Sequence, residues 1–184
     1  MKIYFIRHAE GYHNLPPLGN TKNYDIKYPK ITENGFSQID NTKSLLKNEN
    51  IEIILVSPLR RTLQTAGGIF NKDKDLFIAN EDIREIVTNP CDLRRDIDKI
   101  EAEFPFIDFS QVEKKEKFCV TETIQSYNKR MDNFYKWLSE NTYKSIAVVS
   151  HGVFLHTFLR KYGEKLGIED LSYFNNCECR IGKI

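Results

Sequence analysis

The segment Ser145-Ile-Ala-Val-Val-Ser150-His151-Gly152 runs four apolar residues into a serine, a histidine and a glycine. A strand apolar on both faces belongs inside a sheet covered by helices on each side, and Ser145–Val149 reads as such a strand. Ile51–Val56 has the same character, while Lys2–Arg7, Leu76–Ala79 and a run near Glu178–Ile181 complete the strand candidates. The stretches between them carry apolar residues at helical spacing. Thr32 can cap a helix bearing Phe36, Ile39, Leu45 and Leu46, and Pro58 can open one that buries Leu59, Leu63, Ala66 and Phe70. Glu122–Glu140 places Ile124, Tyr127, Met131, Phe134, Tyr135 and Leu138 at helical steps, and a last helix follows Gly152. This alternation predicts an α/β fold with three layers, α/β/α, around a mostly parallel central sheet. Residues 8–30 and 81–116 fit neither period and are expected to be functional loops or disorder.

The chain has 184 residues, the size of a single domain spanning 1–184, and a formal net charge of +1. No global field therefore favours nucleic acid or an anionic membrane as a partner, and any charge that binds phosphate must be local. No apolar run approaches the roughly 20 residues that span a bilayer. The N-terminus reads as a strand rather than a leader, so a cytoplasmic location is expected. The cysteines, Cys91, Cys119, Cys177 and Cys179, lack the spacing of a zinc site or a disulfide scaffold and are expected to be reduced. On a strand, Cys177 and Cys179 would face one side. Lys114–Lys117 is expected to be a solvated turn.

Chemistry gathers where strands end. Arg7-His8 follows the first strand, Ser57-Pro-Leu-Arg60 the second, and His151-Gly152 the segment quoted above. Ligands of open α/β sheets bind at the carboxyl ends of strands. If the three strands are parallel neighbours, two arginines and two histidines converge. That set suits a phosphoryl dianion, since a cation about 4 Å away contributes roughly 4 kcal/mol at an effective dielectric of 20. Guanidinium forks match phosphate oxygens, and the starts of the following helices, Gly152 among them, would add backbone N–H donors. His8 is the better placed nucleophile, which needs a neutral ring nitrogen aimed at phosphorus and the other held by an acceptor. His151 is then the charge donor to the transition state.

Arg7-His8-Ala9-Glu10 with Asn14, Ile31-Thr-x-x-Gly35-x-x-Gln38, Ser57-Pro-Leu-Arg60-Arg-Thr62-x-Gln-Thr65-Ala66 and Ser150-His151-Gly152 together closely resemble the histidine phosphatase (phosphoglycerate mutase-like) superfamily. These motifs recur in family order along nearly the whole chain. The resemblance implies a phosphoglycerate mutase-like fold and a phosphohistidine at His8. Arg7, Arg60 and His151 would line the phosphate pocket, Asn14 and Ser57 would add contacts, and no metal would be needed. Ala9 stands where the family usually has glycine. Glu85 matches the family's proton donor, with Glu81, Asp82 and Glu10 as rivals. The stretch from Arg84 to Ser110 is similar to a plant and fungal branch, in which Arg94 and Arg95 could reach a second anionic group or simply form a solvated turn. His13, beside the nucleophile, is open to substrate or to solvent, and His156 to packing.

These readings predict a metal-free phosphatase acting on a small phosphorylated metabolite, without cofactor. The alternatives are a phosphoglycerate mutase, which would require 2,3-bisphosphoglycerate and a site closed to water, and a non-catalytic phospho-ligand-binding module. The presence of both nucleophile and acid argues against the module, and the shortness of the chain against the mutase. The sequence leaves the oligomeric state open.

Overall fold

A computed structural model describes residues 1–17, 23–116 and 121–184. Cys119 and Lys117 lie outside the described residues. Six strands form one sheet: β1 (Lys2–Arg7), β2 (Ile53–Val56), β3 (Phe77–Ala79), β4 (Ile107–Asp108), β5 (Ser145–Ser150) and β6 (Cys179–Lys183). Their order is β4-β3-β2-β5-β1-β6, parallel throughout except β6, which runs antiparallel to β1. β5 lies between β1 and β2, with Arg7 beside Ser150 and Val56 beside Val149. The three strand ends that carry Arg7-His8, Ser57 and His151 are therefore neighbours on one edge of the sheet.

Helices cover both faces. On one face, side chains of α1 (Glu33–Leu46), α2 (Arg60–Ile69) and α3 (Ile97–Glu103) pack on Tyr4, Ile6, Ile54, Val56, Ala147 and Val149. On the other, α4 (Ile124–Glu140) and α5 (Gly152–Tyr162) pack on Ile3, Phe5, Ile53, Leu55, Ile146 and Val148. Successive residues of a strand point to opposite faces, so a strand covered twice must be apolar at every position. Among the described residues no helix is long and apolar enough to cross a membrane.

The elements depart from expectation in several places: Ile124, expected on the apolar face of α4, is exposed, and Glu116, in the expected solvated turn, pairs with buried Arg84. In α1 the buried positions are Gly35, Ile39, Thr42 and Leu46, while Phe36 and Leu45 are exposed, so the apolar count alone misjudged which stripe faces the sheet. Segment 81–116 holds α3 and β4 instead of a continuous loop. Beside buried apolar residues such as Ile97, Ile100 and Ile107 it carries buried ion pairs: Arg84 with Glu81 and Glu116, and Arg94 with Glu81. Cys177 precedes β6 with φ 58°, so it does not share a strand face with Cys179.

Candidate active site

The motif residues divide into those that hold the loop after β1 and those that line a cleft above it. Thr32 caps α1 by accepting from Gly35 N (3.0 Å) and donates to Glu10 Oε1 (2.6 Å). Gln38 Oε1 accepts from Glu10 N (2.8 Å), Gln64 Oε1 from Ile31 N (3.0 Å), and Thr65 Oγ1 from Ala9 N (3.0 Å). Backbone groups that the loop cannot pair with itself are thus satisfied by α1 and α2, which gives His8 a rigid seat.

His8 is buried at 2% exposure, with Nδ1 2.7 Å from the Ala9 carbonyl oxygen. A carbonyl only accepts, so Nδ1 carries the hydrogen and Nε2 keeps its lone pair. Burial, then the nearby charges of Arg61 and Arg7, push the ring well below the usual histidine pKa and keep it neutral. The cleft has a volume of about 350 Å³, and Arg7, His8, His13, Arg61, Glu85 and Tyr173 are among its lining residues.

Arg7 donates Nη1–H to the Phe174 carbonyl (2.6 Å) and lies 5.3 Å from the Tyr173 ring centre. The expected second arginine is displaced by one residue. Arg60, the first residue of α2, turns outward and pairs with Glu103 (2.7 Å), whereas Arg61 is buried and enters the cleft. Arg61 donates to the Cys91 carbonyl (2.7 Å) and pairs with Asp92 (3.4 Å). On a helix, consecutive residues point about 100° apart, so a one-residue difference in where the helix begins decides which guanidinium faces the site.

His151 is fully buried beneath these groups, its ring 5.3 Å from that of His8 and its Nε2 2.8 Å from Ser57 Oγ. Ser57 therefore touches His151 rather than the cleft. Asn14 lines the cleft, and its Oδ1 accepts from Gly11 N (3.0 Å).

Glu85 sits at the start of α5, where Oε1 accepts from Phe154 N (3.0 Å) and Oε2 from Val153 N (3.1 Å). The helix donors expected to meet a phosphate hold this carboxyl group instead. Gly152, which opens α5, also lines the cleft; a Cβ there would collide with Tyr173 Oη and come within 3.0 Å of Arg7 Nε. Burial raises the Glu85 carboxyl pKa to about 7, and the charge of Asp92 adds to the rise while Arg61 and the backbone donors oppose it. Arg130 of α4 holds the segment in register: it pairs with Glu122 and donates to the carbonyls of Asp82 and Arg84 (2.8 and 3.1 Å).

Arg94 and Arg95 do not reach the cleft. Arg94 is buried with its donors spent on Glu81 and on the carbonyls of Arg95, Glu113 and Lys115. Arg95 is exposed and lies 5.0 Å from the Tyr28 ring centre. Among the described residues no three histidine, cysteine or acidic side chains are grouped to hold a metal ion. Sequence reading missed Arg61, Asp92, Arg130 and Tyr173: Asp92 and Tyr173 lie in stretches without a legible period, while Arg61 and Arg130 lie on helices whose apolar steps do not say where a polar side chain points.

The profile of the histidine phosphatase superfamily, branch 1, matches residues 3–184. Phosphoglycerate mutase-like protein 1 of Arabidopsis thaliana is 33% identical over 97% of this chain and 79% of its own length. Among solved structures, the α-ribazole phosphatase of Shigella flexneri has a TM-score of 0.69 at 20% identity, covering 98% of this chain and 89% of that one. Phosphoserine phosphatase from Entamoeba histolytica has a TM-score of 0.61 at 23% identity, with 98% and 89% covered. At these identities the two structures establish likeness of fold.

Proposed function

The chain belongs to the histidine phosphatase superfamily, in its phosphoglycerate mutase-like branch, and from that premise we propose that it hydrolyses phosphate monoesters of small metabolites through a phosphohistidine on His8. The observation that carries this reading is the hydrogen bond from His8 Nδ1 to the Ala9 carbonyl, which leaves Nε2 unprotonated, with its lone pair free, beside two guanidinium groups. Arg7 and Arg61 hold the phosphoryl oxygens, Asn14 borders them, and His151, held by Ser57, supplies a further N–H from below. The lone pair of His8 Nε2 forms a bond to phosphorus as the ester P–O bond breaks. The departing oxygen takes the proton of Glu85, whose raised pKa leaves it protonated near neutrality. In the second step a water oxygen bonds to phosphorus and gives a proton to the Glu85 carboxylate. The P–N bond breaks, inorganic phosphate leaves, and His8 regains its lone pair. Side chains of this chain, the substrate and water supply every group in this cycle, and the proposal assigns neither a metal nor a cofactor to it.

Water is the preferred acceptor. Arg7 and Arg61 are the cations that line the cleft among the described residues, and both are assigned to the phosphoryl group. A phosphoglycerate carries a second anion, for which Arg94 and Arg95 are turned away. The test is turnover in chelator-treated buffer of p-nitrophenyl phosphate, 3-phosphoglycerate, 2,3-bisphosphoglycerate and sugar phosphates, scoring both free phosphate and isomer, with His8→Ala beside the wild type. Free phosphate that disappears in His8→Ala is the expected result. Isomer without phosphate would establish a mutase, and neither product would leave a phospho-ligand-binding module.

A further inference from the structure

A third imidazole stands in the cleft without a role in that cycle. His13, in the turn at Tyr12–Asn14, is 6% exposed, lines the cleft, and has its ring centre 5.3 Å from that of His8. Its Nδ1 is buried without a hydrogen-bond partner. The ring occupies space left by Gly11: a Cβ there would stand 2.8 Å from His13 Nδ1, 2.9 Å from Cε1 and 3.3 Å from the Lys30 carbonyl. The sequence Gly11-Tyr12-His13 is thus a device for seating an imidazole against the nucleophile.

We propose that His13 is a substrate-binding residue whose Nε2–H donates a hydrogen bond to a phosphoryl oxygen during transfer at His8, a role that rests on the phosphatase reading. The tautomer follows from the surroundings. A neutral imidazole has one hydrogen, and placing it on Nδ1 would bury a donor with no acceptor, whereas Nε2 is the nitrogen that a ligand can meet. Burial, together with the neighbouring charges of Arg61 and Arg7, holds the ring neutral, with a pKa of about 2. His13 therefore contributes a directed donor rather than a third positive charge. A phosphorus in line with His8 Nε2 stands about 3 to 3.5 Å from it, which brings its equatorial oxygens within reach of the side chains that ring His8.

His13→Phe keeps the ring and removes both nitrogens. Orthovanadate, which adopts the five-coordinate geometry of the transfer, should bind this variant about 10- to 100-fold more weakly than wild type. Hydrolysis of p-nitrophenyl phosphate should lose kcat more than it raises KM, and His13→Gln should recover part of the loss. Unchanged vanadate affinity in His13→Phe overturns the proposal, as does a loss confined to alkyl phosphates, which would place the donor on the leaving oxygen. Should His13→Phe fail to fold, nitrogen-15 spectra of the histidine rings in wild type decide the matter: vanadate should move the His13 Nε2–H resonance, and an unmoved resonance overturns the contact. Wild type that binds no vanadate and turns over no ester overturns the phosphatase reading, and this contact with it.

Discussion

Two adjacent arginines take opposite courses at the start of α2, and the difference is measurable. Arg61→Ala removes a buried cation from the cleft and should lower kcat/KM for p-nitrophenyl phosphate by about 100-fold or more. Arg60→Ala removes only a half-exposed pair with Glu103 and should change it by no more than a few-fold. Equal losses in the two variants would refute the assignment. The sequence offered both residues and no means of choosing, because the period of a helix becomes readable only after its first turn, and α2 begins at Arg60 itself. His8 and His151 were legible because each ends a strand whose apolar run marks its own boundary. Glu85 is a second test at this scale. With a carboxyl pKa of about 7, turnover of an unactivated alkyl phosphate should fall as pH rises through about 7, and Glu85→Gln should abolish that limb and reduce turnover roughly 100- to 10,000-fold. A pH profile unchanged in Glu85→Gln would move the acid elsewhere, with Asp92 the nearest alternative.

At the scale of elements, the site depends on how α5 and α4 hold the segment that follows β3. The first turn of α5 is built without a side chain at Gly152 because Arg7 and Tyr173 fill that space. Gly152→Ala should therefore displace Arg7 and cost activity at least about 10-fold, while the helix itself tolerates alanine well. An urea midpoint within error of wild type beside impaired kcat/KM is the expected pair of results, and full activity would sink the packing argument. Arg130 of α4 makes the complementary case. Removing it leaves Glu122 buried without its partner, so Arg130→Ala should destabilise the fold by about 3 to 5 kcal/mol in urea unfolding. The sequence showed α4 by its apolar steps, yet a periodic pattern describes only the face on the sheet. Arg130 works at the helix edge, through carbonyls of residues 82 and 84, and such long-range polar contacts have no local signature. Shortness hid α3 and β4: within these two elements only Ile97, Ile100 and Ile107 are buried, too few to set a period, and β4 takes its place by pairing with β3.

For the whole molecule, the cleft ties global stability to pH, because folding moves several proton affinities in opposite directions. His8, His13 and His151 are all held below the usual histidine value of 6.5, mainly by burial, so the folded protein leaves them neutral where the unfolded chain protonates them. The stability they would otherwise confer is lost as pH falls below about 6.5. Glu85 acts with the other sign: its carboxyl rises from 4.5 to about 7, so it favours the fold at low pH and that contribution fades as pH rises toward 7. Each group changes the slope of stability by about 1.4 kcal/mol per pH unit inside its window. Between about pH 4.5 and 6.5 three histidines oppose one glutamate, so stability should climb with pH, and from 6.5 to 7 Glu85 alone should turn it gently downward. Urea unfolding across this range separates the contributions. His13→Phe should flatten the rising limb by about 1.4 kcal/mol per pH unit, and Glu85→Gln should steepen it by a similar amount and erase the decline above 6.5. If His13→Phe leaves the slope unchanged, then His13 titrates alike in the folded and unfolded chain, and the crowding of that ring between Gly11 and the two arginines does not hold it neutral.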